Sequence, residues 1–347
     1  MSVPAGSVRK PLGASRVRTA VIGTGHLGKF HAKIHRENPR AELVALVDAD
    51  LPRAQALAAE LGCQAFARVE DLPSSVQAVS IAVPTVAHEA VAVPLLSRGV
   101  HCLVEKPLAA NLGEADRMLA AAASGGALLS VGHVERFQPA LRAVKARGFR
   151  PRFVECSRLA PFSGRSRDIG VVHDLMIHDL DLVLDLVGAP VRSVDAVGGS
   201  ILTQHEDVAS VRIVFENGAR ANITASRASL QPVRKLRMFS GEGYASLDFG
   251  KNYGLVITPG PEWESGRVDL RTMDAASIAQ RQEWIATRVL ALQELDLTGH
   301  ERPLQAEIDS FLVAAQTGAE AEVTGEDGRA ALELADRIVA DIRAQGW

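Results

Sequence analysis

Between Val17 and Val131 short apolar runs alternate with amphipathic stretches, and the alternation predicts strands and helices in turn. Val17-Arg18-Thr19-Ala20-Val21-Ile22 reads as a buried strand, and a helix follows through about Asn38. Leu43–Val47 is the next strand, Arg53–Leu61 a helix, Ala78–Val83 a strand and Val86–Ser97 a helix. A strand over 101–104, a helix over Gly113–Ala123 and a strand over Ala127–Val131 complete this half. Strands separated by helices of this length predict a parallel, doubly wound α/β sheet.

From Arg150-Pro151 the periodicity changes to that of paired strands. Val211–Phe215 and Arg220–Ser226 flank Asn217-Gly218, the dipeptide that suits a tight hairpin turn. Val233–Phe239 and Tyr244–Phe249 form a second pair across Gly241-Glu242-Gly243. Consecutive antiparallel strands predict an α+β domain on a large, mostly antiparallel open sheet. An uncovered sheet face is commonly buried against another subunit, so a homodimer or homotetramer through this sheet is expected. Pro259–Arg302 reads as an irregular connection with some strand and a helix around Arg281–Glu294. Leu304–Gln316 and Arg329–Ala344 read as helices, the second with Ala331, Leu334, Ala335, Ile338 and Ile342 on one apolar stripe. The expected division is a disordered tail over 1–15, a dinucleotide-binding domain over 16–138, the α+β domain over 139–325 and a terminal helix over 326–347.

Composition narrows the classes without choosing among them. Hydrophobic residues make up 47% and charged residues 23% of 347 residues, as in ordinary globular chains. A net charge of -3 argues against nucleic acid as a partner. No apolar run approaches the ~18 residues of a membrane span. Cys63, Cys102 and Cys156 are scattered thiols, which fits a reducing cytoplasm and offers neither a disulfide framework nor a zinc cluster.

The candidate chemistry sits where strands end. Gly23-Thr24-Gly25-His26-Leu27-Gly28 follows the first strand and opens the first helix, the context in which a G-x-G-x-x-G run cradles a pyrophosphate. This makes the first half a Rossmann domain. Asp48 ends the second strand, 20 residues beyond Gly28, where an acid grips the adenosine ribose. It would repel a 2′-phosphate, and no arginine directly follows it, so NAD is expected ahead of NADP. Pro84, Thr85 and His88 follow the Ala78–Val83 strand and are expected on the nicotinamide side. The strand at 101–104 ends in Glu105-Lys106-Pro107, which places a charged pair at the same sheet edge.

In the second half Asp174, His178, Asp181 and Asp185 recur at intervals of 4, 3 and 4, on one face of an otherwise apolar helix. His173 and His178, five apart, point to different faces, and no metal site is expected. Arg158, Arg165 and Arg167 lie just before that helix, and guanidinium groups suit a pyrophosphate.

With these motifs together, the chain resembles the Gfo/Idh/MocA oxidoreductases from about residue 17 to 343. The resemblance implies that Lys106 is the active-site lysine, followed by a cis peptide to Pro107. It implies that His178 is the acid–base group, with Asp174 orienting His178 and Lys106. Glu105 would contact the nicotinamide ribose or orient Lys106, and the C-terminal helix would pack back on the domains. Asp174-Leu175-Met176-Ile177-His178-Asp179, with Met176 where many members have glycine, resembles a narrower group, the UDP-N-acetylglucosamine 3-dehydrogenases that serve lipid A amino-sugar synthesis. Gly132–Pro139, containing Arg136, and Arg158–Ser166 resemble that group too, with Gln138 in place of an expected asparagine. Arg136 and Asp181 are then expected beside a UDP-sugar substrate. The alternatives are an inositol or free-sugar dehydrogenase, a UDP-N-acetylglucosaminuronate 3-dehydrogenase, or a regulator that binds NAD without catalysis. Retention of both Lys106 and His178 counts against the last.

Overall fold

The computed structural model describes residues 11–164 and 169–346. These residues divide into two compact units: the chain up to Phe137 with Glu301–Leu334, and Gln138–His300 with the residues from Ala335 on. No described helix is long and apolar enough to cross a membrane.

In the first unit the chain runs β1 (Val17–Ile22), α1 (Gly28–Glu37), β2 (Ala41–Val47), α2 (Leu51–Leu61), β3 (Gln64–Phe66) and β4 (Ala78–Ile81). It continues through α3 (His88–Ser97), β5 (His101–Glu105), α4 (Leu112–Gly125) and β6 (Leu129–Gly132). Every strand pairing is parallel, in the order β3-β2-β1-β4-β5-β6. The inner strands are apolar on both faces because helices cover both, and all residues of β4, β5 and β6 are buried. Strand order reverses between β1 and β4, which opens a crevice at their carboxyl ends. Helix ends follow local chemistry. Asp50 and Asn111 accept the backbone N–H groups of Arg53 and Glu114 at the starts of α2 and α4. Gly62 and Gly126 end the same helices with left-handed backbone. β3, three residues with no apolar alternation, has no counterpart in the expected elements.

The second unit starts with α5 (Pro139–Lys145) and β7 (Phe153–Leu159), then a π-helical turn over Val172–Met176 that runs into α6 (Ile177–Val187). The strands β8 (Val191–Gly199), β9 (Val208–Phe215), β10 (Arg220–Ser226), β11 (Val233–Phe239), β12 (Tyr244–Asp248) and β13 (Tyr253–Pro259) follow. Three short helices, α7 (Pro261–Glu264), α8 (Ala275–Gln280) and α9 (Gln282–Trp284), lead to β14 (Leu290–Glu294). The sheet order is β14-β13-β12-β11-β7-β10-β9-β8, antiparallel except where β7 lies parallel to β10. Along β9 the residues Ala209, Val211, Ile213 and Phe215 are buried while Ser210 and Arg212 face out, so one sheet face is core and the other polar. The Asn217-Gly218 turn forms as expected, with Gly218 at φ +83°. The helix expected around Arg281–Glu294 forms only over Gln282–Val289, as α9 and a π-helical turn. Leu290–Glu294 is an edge strand, because its backbone pairs with β13 from Leu255 to Pro259 and this outweighs local helix propensity.

The last helices are α10 (Pro303–Thr317) and α11 (Gly325–Gln345). Residues 301–325, expected with the α+β domain, belong to the first unit instead. Ile308, Phe311 and Leu312 share a core with Val17, Leu103 and Leu128, which a contiguous boundary could not anticipate. Of the expected tail over 1–15, residues 1–10 lie outside the described residues, and the rest is corrected. Leu12 and Gly13 donate backbone N–H groups to Ala315 and Gln316 at 3.2 and 3.1 Å, and Ser15 O accepts from Gln316 Nε2 at 2.9 Å. The expected stripe of α11, from Ala331 to Ile342, is buried.

Candidate active site

The first unit carries a cavity of about 920 Å³ at the strand-order switch, bounded in part by Gly23, Gly25, Leu27, Asp48, Val83 and Pro84. Each glycine of the loop has its own reason. Gly23 has φ +87°, and a Cβ there would meet Ala82 O at 2.5 Å. A Cβ on Gly28 would lie 1.7 Å from Gly23 O, so α1 can start this close to the loop only without a side chain. Gly25 has nothing within 4 Å of its missing Cβ; the space there suits the phosphates of a dinucleotide. The residues present therefore fit the cofactor that the motif implies. Of the other expected cofactor residues, His26 is exposed and meets Phe30 edge-on, and Thr85 lies in a 3-10 turn beside Pro84.

Asp48 is 7% exposed. Its Oδ2 accepts from the N–H and hydroxyl of Thr24 at 2.7 and 2.8 Å and from Arg53 Nε at 3.2 Å. Its Oδ1 accepts from Asp50 N–H at 2.9 Å and Arg53 Nη2 at 2.7 Å. Burial alone would raise its pKa; the Arg53 guanidinium and these donors overcome that and hold it at about 2. Arg53 was missed from the sequence because it lies five residues on, brought back by the first turn of α2. Arg68, which follows β3, lines the same cavity. Two arginines at this end weaken the expectation that Asp48 alone excludes a 2′-phosphate.

At the end of β5, Glu105 is buried and meets His31 Nε2 of α1 at 2.8 Å. Burial pushes its carboxyl up, but His31 and Lys106 bring the net shift down. Lys106 is half-buried, and the Lys106–Pro107 peptide is cis. His88, expected to face the nicotinamide, is corrected. It is 1% exposed, with its ring nitrogens turned to the carbonyls of Val83, Pro107 and Leu108. Arg136, expected beside substrate, is also buried, with Nη1 at 3.3 Å from Glu322 O and 3.4 Å from Asp327 Oδ2. It ties down the start of α11 and the residues just before it within the first unit.

In the second unit Asp174 lies within the π-helical turn and His178 is the second residue of α6; both are half-buried. The expected uniform stripe breaks up. The wider π turn changes the register between Asp174 and α6, Asp181 is fully buried, and Asp185 pairs with Lys145 Nζ at 2.6 Å. A π turn inserted at a site residue recurs at functional positions. Arg158 is not presented as a phosphate ligand. Its Nε and Nη2 make a two-pronged pair with Asp179, both bonds 2.8 Å and both residues buried, which fastens β7 to α6. Asp179 escapes sequence reasoning as well, because no spacing rule pairs it with Arg158. Arg165 and Arg167 lie outside the described residues. Lys106 belongs to the first unit, Asp174 and His178 to the second.

A parallel six-stranded sheet with a glycine loop built for a dinucleotide, joined in one chain to an open antiparallel sheet, defines an NAD-binding Rossmann oxidoreductase. The chain belongs to the Gfo/Idh/MocA oxidoreductase family. Residues 17–133 match its NAD-binding Rossmann fold and residues 140–245 one of its C-terminal domains. It is 43% identical over 267 residues to the UDP-N-acetylglucosamine 3-dehydrogenase of Acidithiobacillus ferrooxidans, covering 75% of this chain and 85% of that one. A solved structure of that enzyme superposes with a TM-score of 0.83 at 37% identity, covering 95% and 98% of the two chains. An inositol 2-dehydrogenase of Rhizobium meliloti is 26% identical over 343 residues, covering 94% of this chain and 97% of that one.

Proposed function

We propose that this protein oxidises the 3-hydroxyl of UDP-N-acetylglucosamine to a ketone with NAD. The observation that carries this reading is the 43% identity to a 3-dehydrogenase of that sugar nucleotide, against 26% to the inositol enzyme. The glycine loop and Asp48 would hold the dinucleotide, which when bound supplies the hydride acceptor. His178 takes the hydroxyl proton on a ring nitrogen, and Asp174, one turn earlier, orients that ring. Lys106 donates a hydrogen bond from Nζ to the same oxygen as its carbonyl character develops. Arg165 and Arg167 bind the diphosphate. In this reading Arg158 supports α6 through Asp179.

The polar face of the eight-stranded sheet, with a depression of about 890 Å³ lined by residues such as Glu155, Ser210, Arg212, Thr224 and Lys235, would receive a second copy of the chain.

An assay of NAD reduction against UDP-N-acetylglucosamine, inositol and glucose tests the substrate. Turnover with inositol or glucose but not with the sugar nucleotide would overturn it. Lys106→Ala and His178→Ala should each lower kcat by about 10²–10⁴-fold while NAD binding persists. Unchanged turnover in both would remove the acid–base assignment.

A further inference from the structure

Lys106 leaves β5 between two buried histidines that the reaction does not use. On its N-terminal side, Glu105 is 9% exposed and bonded at 2.8 Å to Nε2 of His31, itself 1% exposed. His31 sits on α1 directly after the glycine loop. On the C-terminal side, His88 Nδ1 lies 3.1 and 3.2 Å from the carbonyls of Pro107 and Leu108, and Nε2 lies 3.0 Å from the carbonyl of Val83. Val83 follows β4, so one imidazole spans the exits of two neighbouring strands. A neutral ring carries a single N–H and serves one exit; only the doubly protonated ring serves both. Burial disfavours that charge more than the three carbonyls and Glu105 favour it, and the neutral tautomer with its proton on Nδ1 donates to the β5 exit.

Neither histidine borders the dinucleotide cavity, whose lining includes Val83, Pro84 and Ala87 but not the rings. A buried polar group costs stability unless it is bonded, and here the bonds go to the residues that bracket one lysine. We propose that His31 and His88 are positioning residues for Lys106. His31 anchors the residue before it through the Glu105 carboxylate, and His88 anchors the two carbonyls after it. The inference rests on the assignment of Lys106 to the chemistry, so Lys106→Ala is measured beside the histidine variants.

The test uses the full-length protein with UDP-N-acetylglucosamine and NAD, active sites being counted by NADH binding. His88→Ala should lower kcat per NADH-binding site by on the order of 100-fold, the cost of a reacting group displaced by about 1 Å, with little change in the KM for NAD. The primary deuterium isotope effect on C3 should rise as chemistry becomes limiting. His88→Gln should recover part of the loss, because its amide N–H can still reach one exit carbonyl. His31→Gln should act in the same direction, and both glutamine variants carry the test if the alanine variant does not fold. Unchanged kcat per site in the histidine variants, with Lys106→Ala inactive, overturns the brace. Parallel losses of kcat and NADH affinity also overturn it, since they would mean a disordered cofactor cleft. An active Lys106→Ala instead overturns the assignment of Lys106 itself.

Discussion

His35 and Asp48 show what single residues of the dinucleotide unit do to stability. His35 is fully buried with Nε2 at 2.8 Å from Ser80 Oγ, and burial, followed by nearby His31, pushes its pKa down to about 3. The unfolded chain takes a proton here below about 6.5 and the folded chain does not until about 3. A lowered folded value means stability is fully present above the unfolded pKa and is lost as pH falls through this window. We predict a loss of about 2 kcal/mol from His35 alone between pH 6.5 and 5. Denaturant midpoints measured over that range should fall less steeply in His35→Gln. An equal slope would show that His35 is hydrated in solution. Asp48 has the same sign, but its window, from 3.8 to about 2, lies lower and overlaps those of other carboxylates. Asp48 was legible because a strand end 20 residues past the last glycine is a spacing rule. Arg53 on Asp48, Asp179 on Arg158 and the carbonyls around His88 were not, since sequence distance does not say which polar groups share a burial.

At the scale of elements, the strand–loop–helix opening separates two uses of glycine that look alike in the motif. Gly28→Ala places a Cβ 1.7 Å from a backbone oxygen, so α1 must shift from its loop. It should cost about 1–3 kcal/mol and weaken NAD binding. Gly25→Ala meets open space in the protein alone, so it should keep the melting temperature and still weaken NAD binding more than tenfold, because the Cβ occupies room for the phosphates. Thermal melts paired with calorimetric titration separate the two. A Gly25→Ala protein that binds NAD normally would move the pyrophosphate away from this loop. The expected helix–strand alternation agreed with the structure because its apolar runs are long. It failed at Leu290–Glu294, a five-residue edge strand whose conformation depends on β13 beside it. The π turn that carries Asp174 was likewise invisible, since D-x-x-x-H reads as an unbroken α-helix until backbone bonds are seen.

For the molecule as a whole, the second unit's sheet has a buried face and a polar one, and the polar face governs assembly in our reading. Light scattering should give the mass of a dimer or tetramer. Ser210→Glu with Thr224→Glu, which puts like charges on two hydroxyls 3.2 Å apart, should lower that mass without unfolding the chain. A monomeric parent protein would overturn this use of the face. By itself, the sequence determined the parallel sheet, the glycine loop, the acid at the second strand end and the hairpins of the second sheet. Each is a local pattern, readable because strand and helix periods and turn chemistry act over a few residues. Only the tertiary structure decided that residues 301–325 complete the dinucleotide unit, that Arg136 and Arg158 are buried in ion pairs, and that His88 grips the residues after Lys106. Those outcomes depend on which distant groups are buried together, where an unpaired charge or amide costs far more than its neighbours in sequence can reveal.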